Sequence, residues 1–329
     1  MTIERSYDNG SINIRIIYIF KTFMDIIKSL LVIKKFLWNI KIYILGHYFP
    51  KQLIEYRFKG VYNRKFDWNN PQTFDEKVNW SKLMADTTEW PHLADKYAVR
   101  KFVEEKGYAD SLVTLYGKWD KVEDIDWSKL PDRFVMKVNN GSGDIIICKD
   151  KAHLNIEECK RHFSKLLKKK FGYDMGELHY NKIKPCIIAE ELLDAECQAF
   201  KSSSLIDYKI FSYDGKPAYI WVSFNRTPHT LDVAVYDTDW KFHPEYSRTT
   251  EHFRLYNHEL PRPASLDKML EMASTLSKGF PFVRVDLYEV GNTPYFGEMT
   301  FTPGAGYNDD YPEEFQKKLG DLFLIERKS

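Results

Sequence analysis

The chain has 329 residues, 43% of them apolar and 16% aromatic, and a formal net charge of +1. That suffices for a real core, and the length fits two ordinary domains or one large enzyme with an extra arm. A charge this near zero exerts no global pull toward nucleic acid. Cys148, Cys159, Cys186 and Cys197 show neither a CxxC pair nor zinc spacing, which predicts reduced packing cysteines in a cytosolic protein.

Residues 12–45 are dominated by Ile, Leu, Phe, Tyr and Val, broken by Arg15, Lys21, Lys28, Lys34, Lys35 and Lys41. The uncharged runs fall well short of the ~20 residues of a membrane span, and no cleavable secretory signal is present. Lys21, Asp25, Lys28, Lys35 and Asn39 follow at helical steps and make one narrow polar stripe, with apolar faces around it. Residues 1 to 51 hold eight basic and three acidic side chains, a net of +5. This is the pattern of a basic amphipathic helix lying on an anionic membrane surface. A helix packed on the main body or on a partner subunit has the same composition, and both readings stand at this point.

Residues 51–130 read as mostly helical. Asn69-Asn70-Pro71 is a break, after which Thr73 and Glu76 form the pattern of a capping box for a helix carrying Phe74, Val78 and Trp80. Residues 91–107 predict a second helix, with Leu93, Tyr97, Phe102 and Val103 inward and Gly107 as its C-terminal cap. Residues 120–130 predict a loop with one helical turn.

From Pro131 the pattern is that of strands. Residues 134–138 run into Asn139-Asn140-Gly141-Ser142-Gly143-Asp144 and then Ile145-Ile146-Ile147, a hairpin with a flexible glycine tip. It is not a P-loop, because no Gly-Lys-Ser/Thr follows and no helix opens there. Lys137 sits just beneath the tip, where a cation could meet phosphate. Residues 155–171 predict a basic helix with Lys168 to Lys170 in its last turns. Ile187 to Ala189 read as a buried strand entering Glu190. Residues 207–224 predict a hairpin around Asp214-Gly215, with Lys209 placed much as Lys137 is. Residues 225–262 read as irregular, with Arg226 and His229 among several cations suited to an acidic substrate. Residues 265–279 predict a helix closed by Gly279.

The most informative stretch is 282–306, FVRVDLYEVGNTPYFGEMTFTPGAG. A hairpin with a three-residue turn, Gly291-Asn292-Thr293, places Asp286 opposite Glu298 and Arg284 opposite Thr300. One face is then core, and the other gathers an arginine, two carboxylates and a hydroxyl. Two carboxylates directly opposite repel unless a cation lies between them. Arg284 is one candidate. Magnesium, which takes one or two carboxylates plus substrate phosphates, is the other. The glycine-rich turn that follows lets backbone amides approach a ligand closely.

The segments NNPQTFDEKVNW, ADKYAVRKFV, LPDRFVMKVNNGSGD, IKPCIIAEELL, DYKIFSYDGKP and KGFPFVRVDLY through YFGEMTFTPGAG span about residues 69–306 in one order. This series resembles the TupA-like (teichuronopeptide-type) proteins of the ATP-grasp superfamily, which belong to bacterial surface-polysaccharide gene sets. The resemblance implies an α+β chain with the ATP-grasp fold, two antiparallel-sheet subdomains clamping a nucleotide; the N-terminal helical arm before residue 50 lies outside it. The chain's expected divisions are the arm at 1–50, a mostly helical region at 51–130, and an ATP-grasp domain at 131–329 with a nucleotide lid at about 131–193 and a metal and substrate subdomain at about 194–329.

The resemblance further implies ATP and Mg2+ as cofactors. Lys96 and Lys137 would contact the α and β phosphates. Gly141, Ser142 and Gly143 would close over the triphosphate. Glu190 to Leu193 would form the adenine hinge, read through the Glu191 carbonyl and the Leu193 amide, with Glu196 at the ribose. Lys209 and Arg284 would face the γ-phosphate. Asp286 and Glu298 would hold magnesium, with Thr300 where the superfamily usually has asparagine, a better metal ligand than a hydroxyl. Gly304, Ala305 and Gly306 would border the acceptor pocket, and Arg226 and His229 of the cation-bearing loop are the further substrate candidates from the sequence itself. The implied activity is carboxylate–amine ligation through an acyl phosphate, on a small or glycan-linked carboxylate and an amine. A phosphotransferase or a nucleotide-binding scaffold is compatible with the same site. The expected location is the cytoplasm, with peripheral contact at the inner face of the plasma membrane through residues 12–45.

Overall fold

The computed structural model describes the backbone of residues 9–141 and 143–327, and side chains from residue 28 onward. The arm is one helix, α1 (Asn9–Tyr48), followed at once by α2 (Pro50–Tyr62). Lys21 and Asp25 of the polar stripe have side chains outside the described set. No helix of the described residues is long and apolar enough to cross a membrane.

Helix α3 (Phe74–Met84) begins with the expected capping box. The Thr73 hydroxyl accepts from the Glu76 amide, and the Glu76 carboxylate accepts from the Thr73 amide. The single helix expected at 91–107 is two, α4 (Trp90–Ala94) and α5 (Val99–Glu105). Asp95 divides them. Its Oδ1 accepts from the amides of Tyr97 and Ala98, an Asx turn that competes with the helical ladder. Tyr97 consequently faces solvent rather than the core.

Two sheets follow. The smaller has the order β1-β4-β2-β3, from β1 (Leu115–Trp119), β2 (Phe134–Val138), β3 (Ile145–Cys148) and β4 (Ile187–Glu190), all antiparallel. It is backed by α6 (Ile156–Leu166). Strand β1 lies in the stretch read as helical, and its half-exposed alternation around Gly117 gave little strand signal. Lys168 to Lys170 lie beyond α6, not in its last turn.

The larger sheet has the order β10-β9-β5-β6-β7-β8. It comprises β5 (Asp207–Tyr213), β6 (Lys216–Phe224), β7 (Leu231–Asp237), β8 (Phe253–Leu255), β9 (Val283–Val290) and β10 (Thr293–Thr300). Only the β7–β8 pairing is parallel. Strand β7 corrects the irregular reading of 225–262. Val233, Ala234, Val235 and Tyr236 are all buried, because both faces of this sheet are covered. One face packs on α7 (Leu266–Ser277) and the other on α3 and α8 (Glu313–Leu322).

The β9–β10 hairpin has the expected pairing, Asp286 with Glu298 and Arg284 with Thr300, but reaches it differently. The turn has two residues, Gly291 and Asn292, with φ of 58° and 62°, so Val290 pairs with Thr293. An extra residue at Gly297 then shifts the register back by one. A Cβ on Gly297 would lie 2.8 Å from the Asp286 carbonyl oxygen, which is why glycine occupies the bulge. The four cysteines are free, three buried and Cys197 exposed.

Candidate active site

The polar face of β9–β10 meets the end of β5 in a network of charges. Arg284 grips Asp286 with two bonds of 2.6 Å, from Nε and Nη2, and its Nη2 also lies 3.3 Å from the Thr300 hydroxyl. Lys209 Nζ is 2.8 Å from Asp286 and 3.4 Å from Asp207. Asp207 in turn holds Arg226 at 3.0 Å. Glu298 accepts from Thr300 at 3.2 Å and lies 3.7 Å from Arg284.

Lys96 links this network to the small sheet. The Asx turn at Asp95 aims it away from α5, and its backbone amide donates to the Asn139 carbonyl. Its Nζ lies 2.8 Å from the Gly141 carbonyl of the glycine hairpin and 3.1 Å from Glu298 Oε2 of the large sheet. One ammonium therefore ties the two sheets together where their polar faces converge.

Electrostatics follow from this crowding. Burial pushes the Glu298 carboxyl upward, but Lys96, Lys209 and Arg284 outweigh it and hold it well below its usual range. Burial opposes the charge on Arg284, yet Asp286 and Glu298 keep its pKa above the ordinary value. Asp207 is also lowered, as Lys209 and Arg226 override its burial.

A second cluster lies on the small sheet. Glu190 receives Lys137 at 2.5 Å and Arg100 at 3.2 Å. Glu191 donates its amide to the Thr114 carbonyl and accepts the Thr114 hydroxyl. The Glu191 carbonyl and the Leu193 amide carry no hydrogen bond among the described residues. Glu196 is exposed on a short turn capped by Asp194. Ser142 lies outside the described residues.

The glycine turn after β10 has three successive residues in the left-handed region, Gly304, Ala305 and Gly306, at φ of 54°, 52° and 68°. It is held from beneath by Lys82, whose Nζ bonds the Ala305 carbonyl at 2.6 Å, and by Asn79, which bonds that of Gly306. Burial lowers the Lys82 pKa to about 8 against the pull of Glu177, and Glu177 bonds Thr302 at 2.6 Å.

The structure thus gathers Lys96, Lys209, Arg226, Arg284, Asp286, Glu298 and Thr300. It places Lys137 with Glu190 instead. His229 stays on an exposed loop, with its carbonyl near His252 and no side-chain contact to the cluster among the described residues. Sequence reasoning missed Arg100 and Asp207. Both were within reach: Arg100 is one helical turn past Lys96, and Asp207 is two residues before Lys209, on the same strand face. It also missed Lys82 and Glu177, whose elements are distant in sequence.

The residues suit a divalent cation in a specific way. Among the described residues no cluster of three or more His, Cys, Asp or Glu side chains could hold a metal unaided. The paired carboxylates Asp286 and Glu298 supply hard oxygens for magnesium only together with phosphate oxygens. The surrounding cations, Lys96, Lys209 and Arg284, are what a phosphate chain requires.

The family model described as TupA-like ATPgrasp matches residues 76–324. The chain belongs to the TupA-like ATP-grasp family. Its two sheets are those of the ATP-grasp fold. Among solved structures, D-alanine–D-alanine ligase from Bacillus anthracis is similar at 15% identity and a TM-score of 0.40, over 77% of this chain and 69% of that one. The Helicobacter pylori D-alanine–D-alanine ligase is similar at 12% and 0.38, over 70% and 61%. The ATP-grasp ligase PsnB, complexed with a phosphomimetic precursor variant, Mg and ADP, is similar at 9% and 0.41, over 76% and 65%. The chain spans less than two thirds of the latter two. No curated protein matches by sequence.

Proposed function

We propose that this TupA-like ATP-grasp protein is an ATP- and magnesium-dependent carboxylate–amine ligase. It would join an amino acid or other amine to a sugar acid or peptide in capsule or another bacterial surface polysaccharide. The observation that carries the reading is Lys96, bonded at once to Gly141 of the glycine hairpin and to Glu298 of the large sheet. A phosphate chain entering there finds Lys96 from the turn between α4 and α5 and Lys209 and Arg284 from the large sheet.

In this reading Lys96 and Lys137 hold the α and β phosphates, and Gly141 to Gly143 cover the triphosphate. The Glu191 carbonyl and the Leu193 amide meet the adenine edge and Glu196 the ribose, with Glu190 anchoring the hinge through Arg100. Lys209 and Arg284 turn from Asp286 toward the γ-phosphate. That frees Asp286 and Glu298, with the Thr300 hydroxyl beside them, to hold magnesium. Bound there, the metal neutralises charge on the phosphate oxygens. The substrate carboxylate oxygen attacks the γ-phosphorus, and the bond to the β–γ bridging oxygen breaks, releasing ADP. The neutral amine nitrogen then attacks the acyl carbon, phosphate leaves with the bonding pair, and the nitrogen passes its surplus proton to the departing phosphate. Cations stabilise each developing charge, and closure of the hairpin keeps water from the intermediate. Arg226, His229 and the turn Gly304 to Gly306 border the acceptor. Residues 131–193 act as lid and 194–329 as metal and substrate subdomain, behind the 51–130 region. The 1–50 arm holds the protein at the anionic inner face of the plasma membrane.

Incubation with ATP, magnesium, candidate sugar acids and hydroxylamine tests the activity. The expected product is an ATP-dependent hydroxamate, lost in Glu298→Gln while the melting transition is retained. A stable phosphosugar without hydroxamate would mean a phosphotransferase. Bound nucleotide with neither product would mean a scaffold.

A further inference from the structure

Three carbonyls of the turn after β10 are held from inside the protein. Asn308 Nδ2 bonds that of Pro303 at 3.0 Å, Lys82 Nζ that of Ala305 at 2.6 Å, and Asn79 Nδ2 that of Gly306 at 2.6 Å. Gly304 and Gly306 enter the left-handed region freely, because they have no Cβ. Ala305 has one, and at φ 52° and ψ 26° it crowds the backbone. Such a conformation persists only where its surroundings over-determine it. Ala305, the one residue of the three that is strained, is the one whose carbonyl receives a charged donor.

Lys82 lies in the buried part of α3 and is 6% exposed. An ammonium has three N–H donors. Here they meet three acceptors, Asn79 Oδ1 at 2.8 Å, the Met175 carbonyl at 2.9 Å and the Ala305 carbonyl. Its Nζ also lies 4.7 Å from the centre of the Tyr307 ring, two residues past Ala305. The Glu177 carboxylate supplies the opposing charge and accepts the Thr302 hydroxyl at 2.6 Å, at the start of the turn. A buried ion pair is commonly no more stable than apolar side chains of the same size, so stability alone does not account for Lys82. Among the described residues no hydrogen bond or ion pair joins it to Lys96, Lys209, Arg284, Asp286 or Glu298.

We propose that Lys82 is a positioning residue, which locks Ala305 in the left-handed conformation and so fixes the shape of the turn that borders the acceptor. It touches neither nucleotide nor substrate. The assignment rests on the proposed function for what the turn faces, and extends it by naming what sets the turn's shape.

Lys82→Met alone would leave Glu177 buried and uncompensated, so the test variant is Lys82→Met/Glu177→Gln, in which the glutamine still offers an oxygen to Thr302. It is compared with the wild type, with Glu177→Gln, and with a triple variant that adds Ala305→Gly, since glycine enters the left-handed region freely. The first readout is amide hydrogen exchange at residue 305 and Tyr307, whose N–H groups bond the Thr302 and Gly304 carbonyls, against the amides of β6 in the middle of the large sheet. In the double variant, exchange at both positions should rise more than about tenfold over the β6 reference. It should stay near wild type in Glu177→Gln and fall back toward wild type in the triple variant. The second readout is binding of a non-hydrolysable ATP analogue with magnesium, expected within about twofold of wild type throughout. The third is the hydroxamate assay, in which the acid or hydroxylamine concentration for half-maximal rate should rise more than about tenfold in the double variant and recover in the triple. Exchange that rises no more than at β6, or that Ala305→Gly does not restore, would overturn the assignment and leave the ligase reading standing. So would a loss of nucleotide affinity as large as the loss in the hydroxamate assay. A double variant that does not fold, and is not recovered by Ala305→Gly, would assign Lys82 to stability and overturn it too. If the wild type forms no hydroxamate, the ligase reading fails and the acceptor role of the turn falls with it, while exchange still decides whether Lys82 holds Ala305.

Discussion

Replacing Asp286 with asparagine removes the anion around which the large-sheet charges are arranged. Its side chain is 2% exposed, with Arg284 at 12% and Lys209 at 17%. Deleting one partner of a buried ion pair commonly costs ~3–5 kcal/mol, because the surviving charge is left without compensation. Here the loss is moderated. Arg284 keeps Glu298 at 3.7 Å, and Lys209 keeps Asp207 at 3.4 Å. The lower end, about 3 kcal/mol, is therefore expected, and at a few degrees per kcal/mol it lowers the melting temperature by about 6 °C. The same substitution leaves a more cationic pocket. In magnesium-free buffer Asp286→Asn should bind pyrophosphate at least about tenfold more tightly than the wild type, and regain much of its lost stability on doing so. Calorimetric melting with and without pyrophosphate reads both effects. A variant that melts within about 1 °C of the wild type and binds pyrophosphate no better would refute the idea that Asp286 stands in for a phosphate.

His179 gives a pH signature. It is buried against Trp90, and burial together with Lys82 and Lys182 lowers its pKa to about 3 from 6.5. Between those values the unfolded chain holds a proton that the folded chain does not, so stability falls as pH drops below 6.5, by ~1.4 kcal/mol per unit. His179→Gln should flatten the slope of denaturant stability between pH 6 and 5 by that amount, whatever its own baseline. Glu177, whose pKa is raised by burial, acts in the opposite sense in both proteins and cancels from the difference. An unchanged slope would mean that His179 titrates freely. Gly297→Ala forces β10 away from β9 at the step that aligns Glu298 with Asp286. It should cost ~1–3 kcal/mol and weaken magnesium-dependent nucleotide binding beyond what that loss explains. Intact affinity in the folded variant would count against the alignment.

Much of the site was legible because strand alternation is rigid. Once 283–290 and 293–300 are strands, Arg284, Asp286, Glu298 and Thr300 share a face. The turn was misread, yet the bulge at Gly297 restored the pairing, since two one-residue errors cancel. The capping box at Thr73 and the hairpins around Asp214 and the glycine tip are likewise local features, settled by neighbouring residues. Less was legible where tertiary contacts decide. Strand β1 is stabilised by pairing with β4, far along the chain. The partner of Lys137 is Glu190, across the small sheet, and the support of Ala305 by Lys82 joins α3 to a turn more than two hundred residues later. For the arm, composition left a membrane-surface helix and a packed helix both open, and the burial of Ile42 and the close packing of Gly46 on Tyr173 are tertiary facts that composition does not carry.

In the proposed function Asp286 and Glu298, aligned across β9 and β10, would hold a divalent ion together with the phosphates of a nucleotide bound by Lys96, Lys209 and Arg284. Calorimetric titration of the folded wild type and Glu298→Gln with a non-hydrolysable ATP analogue, with and without magnesium, tests it most directly. One nucleotide should bind per chain, more tightly with magnesium in the wild type, with that enhancement lost in Glu298→Gln. No binding, or equal magnesium enhancement in both proteins, would contradict the claim.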